Sequence, residues 1–204
     1  MREAASGIGR RASIVMLALA AVFAASAGWI HAKAALAQVL LDRAWRESGH
    51  GERPVKPWPW ADIAPIARLR VPRLDQDEIV LDGDSGQALA FGPGWSPRSA
   101  VPGTHGLVAI SAHRDTRFAF LRELRKGDTV QLDTASGTRR YRVADMRVVD
   151  SRSTRVAAAD ADDALLLVTC YPFDALVPGG PLRYVVRAEP EAEMPARIAA
   201  IVAR

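Results

Sequence analysis

Three side chains in this sequence are of types that can do chemistry: a thiol, an imidazole and a guanidinium. Cys170 is the only cysteine among 204 residues. It ends the apolar run ALLLVT and is followed by YPFDALVPGGP, so the thiol stands at a strand terminus beside a long loop, where a nucleophile can meet a substrate. The competing reading is a small buried hydrophobe, the usual use of a lone Cys after an apolar strand. A single cysteine forms no intramolecular disulfide and no multi-cysteine metal site.

Of the four histidines, His113 directly follows the strand-like GLVAISA, where a loop begins with RDT and can hold the ring open to solvent. It is the favoured general acid or base, although a histidine at a strand end is more often a cap or a satisfied core residue. His105, in a Pro-Gly-Thr turn, reads as structural. In LRYVVRA, alternation puts Leu182, Tyr184, Val186 and Ala188 on one face and Arg183, Val185 and Arg187 on the other. Arg183 thus faces away from the core, nearest the loop leaving Cys170, while Arg187 reads as a solvated charge. Asp115 either orients the His113 ring or caps the helix expected at FAFLREL, where Thr116 competes for the cap. These isolated ligands support no metal site, and no cofactor is expected.

The elements that must position these groups are short. Seven β-like runs, IARLRV, DEIVL, GLVAIS, DTVQLD, RYRVADMRVV, ALLLVT and LRYVVRA, are separated by turn signals. Only two short helices are expected, around SGQALAF and FAFLREL, so a barrel or sandwich is favoured over a βαβ parallel sheet. Apolar residues make up 49% of the chain and charged residues 25%, a globular composition. Formal charge is +4, but the basic residues are interleaved with acids and form no stripe with stacking aromatics, so nucleic acid is not an expected partner.

From Ala12 to Ala32 no Lys, Arg, Asp or Glu interrupts the chain, about the length that crosses a bilayer. Arg2, Arg10 and Arg11 precede this stretch, which by the positive-inside bias leaves the N-terminus in the cytoplasm and exports the rest. Ala25-Ser26-Ala27 before Gly28 resembles a signal-peptidase site. The helical pattern nevertheless continues to Trp45, which favours an uncleaved anchor. The expected organisation is a cytoplasmic N-terminus (1–11), a transmembrane signal-anchor (12–32), a helical stalk with a Pro/Trp-rich linker (33–65), a catalytic domain (66–190) and a C-terminal tail (191–204). Trp58 and Trp60 are expected to pack on the domain surface.

VTCYPF at 168–173 resembles the TLxTC signature of the sortase family, ISAHRDT at 110–116 its strand-then-His segment, and PLRYVVRA its Arg strand. The order His, Cys, Arg is also the family's. WPWAD, ARLRVPRL, HRDTxFxFLR, TCYPFDA and PGGPLRYVV most resemble the Gram-negative, proteobacterial class. Leu166 departs from the first Thr of the signature and Ala112 from the Gly that commonly precedes the His; neither removes a reactive group. The resemblance implies a mainly β fold, an eight-stranded β-barrel with a few short helices behind the N-terminal transmembrane helix. It implies catalysis by Cys170, His113 and Arg183, with Asp115 and Thr169 as supporting candidates. The implied partners are an exported protein with a C-terminal Leu-Pro-X-Thr-Gly-like signal and an acceptor amine, met on the periplasmic side of a bacterial inner membrane. Hydrolytic release of the target, a noncatalytic peptide-binding barrel, and a small-molecule Cys-His hydrolase with a closed pocket are the alternatives.

Overall fold

A computed structural model of the chain describes residues 2–50, 52–154, 163–175, 177 and 179–191, with side chains from residue 16 onward except 27 and 30. The chain divides into two compact units, Met1–Leu40 and Leu41–Arg204. The long apolar pattern forms one helix, α1 (Arg2–Glu47). By length and composition its stretch from Met16 onward is long and apolar enough to cross a membrane, and Met16, Leu17, Phe23 and Trp29 on it are exposed. The expected tail beyond residue 191 lies outside the described residues.

The second unit carries eight strands: β1 (Pro65–Val71), β2 (Gln76–Asp82), β3 (Gly94–Trp95), β4 (Leu107–Ser111), β5 (Thr129–Thr134), β6 (Gly137–Asp150), β7 (Ala164–Cys170) and β8 (Leu182–Pro190). They close a barrel in the order β1-β2-β3-β4-β7-β8-β6-β5. All seven expected β-like runs are strands. β3 is the eighth, only two residues long, pairing parallel to β2 and antiparallel to β4. No period can announce so short a strand. It runs so close to its neighbour that a Cβ on Gly94 would lie 2.4 Å from the Gly83 carbonyl oxygen, so only glycine fits there without a shift.

Alternation sends one side of each strand inward. Ala67, Leu69 and Val71 of β1, Val108 and Ile110 of β4, Leu165 and Leu167 of β7, and Val186 and Ala188 of β8 fill the core with Phe118 and Leu121. β7 is buried on both faces, which is why its sequence reads as a continuous apolar run. Its outward Ala164 and Leu166 join Leu107 and Val185 in a second cluster outside the barrel. A third cluster joins Leu41 and Trp45 at the end of α1 to Ala61, Ile63, Ile79, Leu81 and Ala88.

That third cluster makes part of the expected stalk and linker a packed layer. Trp58 packs against it, its ring 5.1 Å from Phe91. Trp60 does not: it is 79% exposed, because the turn closed by the Ala61 amide on the Trp58 carbonyl turns Ala61 and Ile63 inward instead. Of the two expected helices, SGQALAF supplies α2 (Gly86–Phe91), capped by Ser85, whose hydroxyl accepts from the Ala88 amide. FAFLREL forms a 3-10 helix at Ala119–Glu123 with Phe118 in the capping position and no side-chain cap. The capping role considered for Asp115 and Thr116 is therefore corrected. The Thr116 and Phe118 amides both turn back to the His113 carbonyl, so the helix starts too late for either side chain to reach it.

Candidate active site

Strand register decides which side chains can meet. β4 and β7 run parallel, with Leu107 opposite Ala164 and Ser111 opposite Val168. Two further bonds carry this pairing past the end of β4: the Ala112 amide donates to the Val168 carbonyl at 3.2 Å, and the Thr169 hydroxyl donates to the Ala112 carbonyl at 2.7 Å. Continued by one residue, the same register would set His113 beside Cys170. On its other side β7 pairs antiparallel with β8, and there Cys170 is the direct partner of Arg183. His113, Cys170 and Arg183 thus form one row across three adjacent chain segments, with neighbouring strands about 4.8 Å apart.

The row lies on one face. Leu165, Leu167 and Ala112 point into the core, so the alternate positions Leu166, Val168 and Cys170 point out. On β8, Val185 belongs to the outer cluster while Val186 and Ala188 belong to the core, which places Arg183 outward with the thiol, as alternation led us to expect. His113 is exposed and Cys170 half-buried. One amino group of Arg183, Nη1, donates to the carbonyls of Gly180 at 2.6 Å and Leu182 at 2.9 Å, which folds the guanidinium against the start of its own strand.

Supporting groups hold the two loops that border the row. Arg117, four residues after His113, donates to Glu78 of β2 at 3.2 Å. Burial raises the Glu78 carboxyl above its ordinary range, and Arg117 opposes that rise. Beyond Cys170, Tyr171 stacks on Tyr184 at 6.3 Å, Phe173 meets Tyr184 edge-on at 5.3 Å, and the Arg122 guanidinium lies 5.9 Å over Phe173. Burial, followed by the neighbouring Tyr171, raises the Tyr184 phenol.

Of the two supporting candidates, Thr169 is buried and ties the end of β7 to the residue before His113. Asp115 is largely exposed, and its carboxylate accepts from Arg114 rather than from the His113 ring. Arg114 itself was not singled out from the sequence. It is 6% exposed and donates through Nη2 to the Ala175 carbonyl at 2.7 Å. No sequence signal marks an arginine as buried when its partner lies 61 residues away.

The sortase domain family model matches residues 69–191, more than half of the chain. The chain is 31% identical over 119 residues to sortase D of Bacillus subtilis (strain 168), covering 58% of this chain and 60% of that protein. It therefore spans less than two thirds of that relative. Among solved structures it is similar to sortase A from Corynebacterium diphtheriae, with a TM-score of 0.58 and 26% identity over 67% of this chain and 65% of that one. Sortase C of Streptococcus pneumoniae is similar at a TM-score of 0.56 and 25% identity, over 62% and 66% of the two chains. With the family model matched across residues 69–191 of the barrel unit, the chain belongs to the sortase family.

Proposed function

We propose that this chain is a membrane-anchored cysteine transpeptidase that cuts a Leu-Pro-X-Thr-Gly-like sorting signal in an exported protein and transfers it to an amine. The observation that carries the reading is the row formed by His113, Cys170 and Arg183. Cys170, as thiolate, attacks the Thr carbonyl carbon. Arg183 donates from the remaining arm of its guanidinium to the oxyanion that develops. As the Thr–Gly C–N bond breaks, His113, as imidazolium, gives its proton to the departing Gly amine. A thioester on Cys170 remains. The acceptor amine attacks it, its proton passes to His113, and the thiolate leaves to restore the enzyme.

The apolar helix of residues 12–32, behind Arg2, Arg10 and Arg11, supports a single-pass anchor in the inner membrane, with the unit from Leu41 onward in the periplasm. The motifs WPWAD and TCYPFDA support membership of the Gram-negative class. Water in place of the amine would make the chain a processing protease. The test is mass spectrometry of the full chain in detergent with a Leu-Pro-X-Thr-Gly peptide library and an amine, beside Cys170→Ala. Amine-capped products that vanish in the variant are expected. Cleaved but uncapped products would contradict transfer, and no Cys170-dependent product at all would contradict the enzyme reading.

A further inference from the structure

We infer that Arg114 is a positioning residue for the reaction proposed above, and the inference rests on that reading: its buried guanidinium ties the segment carrying His113 to the turn that follows Cys170. Among the described residues Arg114 is the only charged residue buried as a whole. A guanidinium removed from water is costly unless its donors are met. Here two of its three nitrogens have partners, one of them across the site. Nη2 donates to the Ala175 carbonyl at 2.7 Å, and Nε donates to the Asp115 carboxylate at 3.3 Å.

Ala175, whose carbonyl accepts from Arg114, ends a defined turn. The Tyr171 amide donates to the Leu182 carbonyl at 3.0 Å, and the Ala175 amide donates to the Pro172 carbonyl at 3.4 Å. Capturing the end of this turn from the residue beside His113 couples the two loops that border the thiol. The Arg122 guanidinium over the Phe173 ring supports the same approach without a directional bond. Thr169 and Arg117 secure the His113 segment to β7 and β2, and neither reaches the turn. Asp115 then serves Arg114, because its exposed carboxylate partly neutralises the buried cation. An ordinary structural arginine would stabilise the fold as a whole. A positioning residue sets the relation of base to nucleophile, to which rate is far more sensitive than substrate affinity.

The test compares full-length wild type, Arg114→Ala and Arg114→Lys in detergent by steady-state peptide cleavage, hydrogen–deuterium exchange and thermal melting. For Arg114→Ala, kcat is expected to fall about 10- to 100-fold with KM within about threefold. Amide exchange should rise in residues 171–175 and stay unchanged in β1, β5 and β6. Arg114→Lys, which keeps one donor within reach of the carbonyl, should fall between the two. Unchanged exchange at 171–175, a uniform rise over the whole barrel, or an unchanged kcat would each overturn the inference. If wild type cleaves no sorting peptide, the proposed function fails, and the exchange data still decide the tie: a local rise supports it and no rise removes it.

Discussion

At the scale of single residues, a thiol at a strand end becomes useful only when its neighbours in the row carry a proton donor and a hydrogen-bond fork. Cys170, His113 and Arg183 each stand at or just beside the end of a β-like run, and the resemblance of VTCYPF, ISAHRDT and PLRYVVRA singled them out; which strands lie side by side is carried by the register of β4, β7 and β8, not by the sequence pattern. Arg114 was not legible, because its burial comes from a turn distant in the chain. Arg183 illustrates how much geometry matters. Its Nη1 is engaged by two backbone carbonyls, so donation to a substrate falls to the other arm of a planar fork that lysine lacks. Arg183→Lys is therefore expected to lower kcat/KM by about 10²- to 10³-fold. Iodoacetamide should still alkylate Cys170 in this variant, so steady-state kinetics beside alkylation would separate a lost donor from a damaged thiol.

Elements hold this row through a few bonds at their ends. Thr169 is the clearest case, a buried hydroxyl on the inward side of β7 that donates to the Ala112 carbonyl where β4 stops. Thr169→Val keeps the shape and removes the donor, so urea denaturation should show a loss of about 1–3 kcal/mol. The first turn of the barrel is held electrostatically. Arg73, after β1, donates to Asp128, before β5, at 2.6 and 2.7 Å. That hydrogen bond, chiefly, lowers the Asp128 carboxyl below its ordinary value of 3.8. A depressed acid contributes stability above its unfolded pKa and loses it as pH falls through the lower folded value. Arg73→Met should therefore be less stable than wild type at neutral pH, and the gap in urea midpoint should close as pH drops below 3.8. Seven of the eight strands were legible as β-like runs between turn signals, β7 as a continuous apolar run rather than by alternation; β3 was not, because two residues carry no period. FAFLREL read as helix, and its apolar spacing is real, but Phe120 and Leu121 are drawn into the barrel through a tighter 3-10 turn.

At the scale of the whole molecule, the barrel unit begins before the barrel does. Leu41 and Trp45 are fully buried against Ile79 and Leu81, and Arg68 of β1 reaches Asp42 at 3.1 Å and Asp77 at 2.6 Å. Composition alone marks residues 33–65 as stalk and linker, since Gly and Pro signal irregular backbone but not whether that backbone is packed. Trp45→Ala should cost about 3–5 kcal/mol in urea denaturation of the full chain, whereas Trp60→Ala, at an exposed position, should change stability by less than about 0.5 kcal/mol. The site depends on this unit, since β2, which carries the Glu78 anchor of the His113 loop, is packed from outside by the same cluster. The first measurement is intact-mass analysis of the full chain mixed with a Leu-Pro-X-Thr-Gly peptide, without added amine, followed by peptide mapping. If Cys170 is the nucleophile, the acyl fragment forms an adduct on it that added amine discharges and Cys170→Ala never forms. Cleavage of the peptide with equal efficiency by Cys170→Ala would contradict that role.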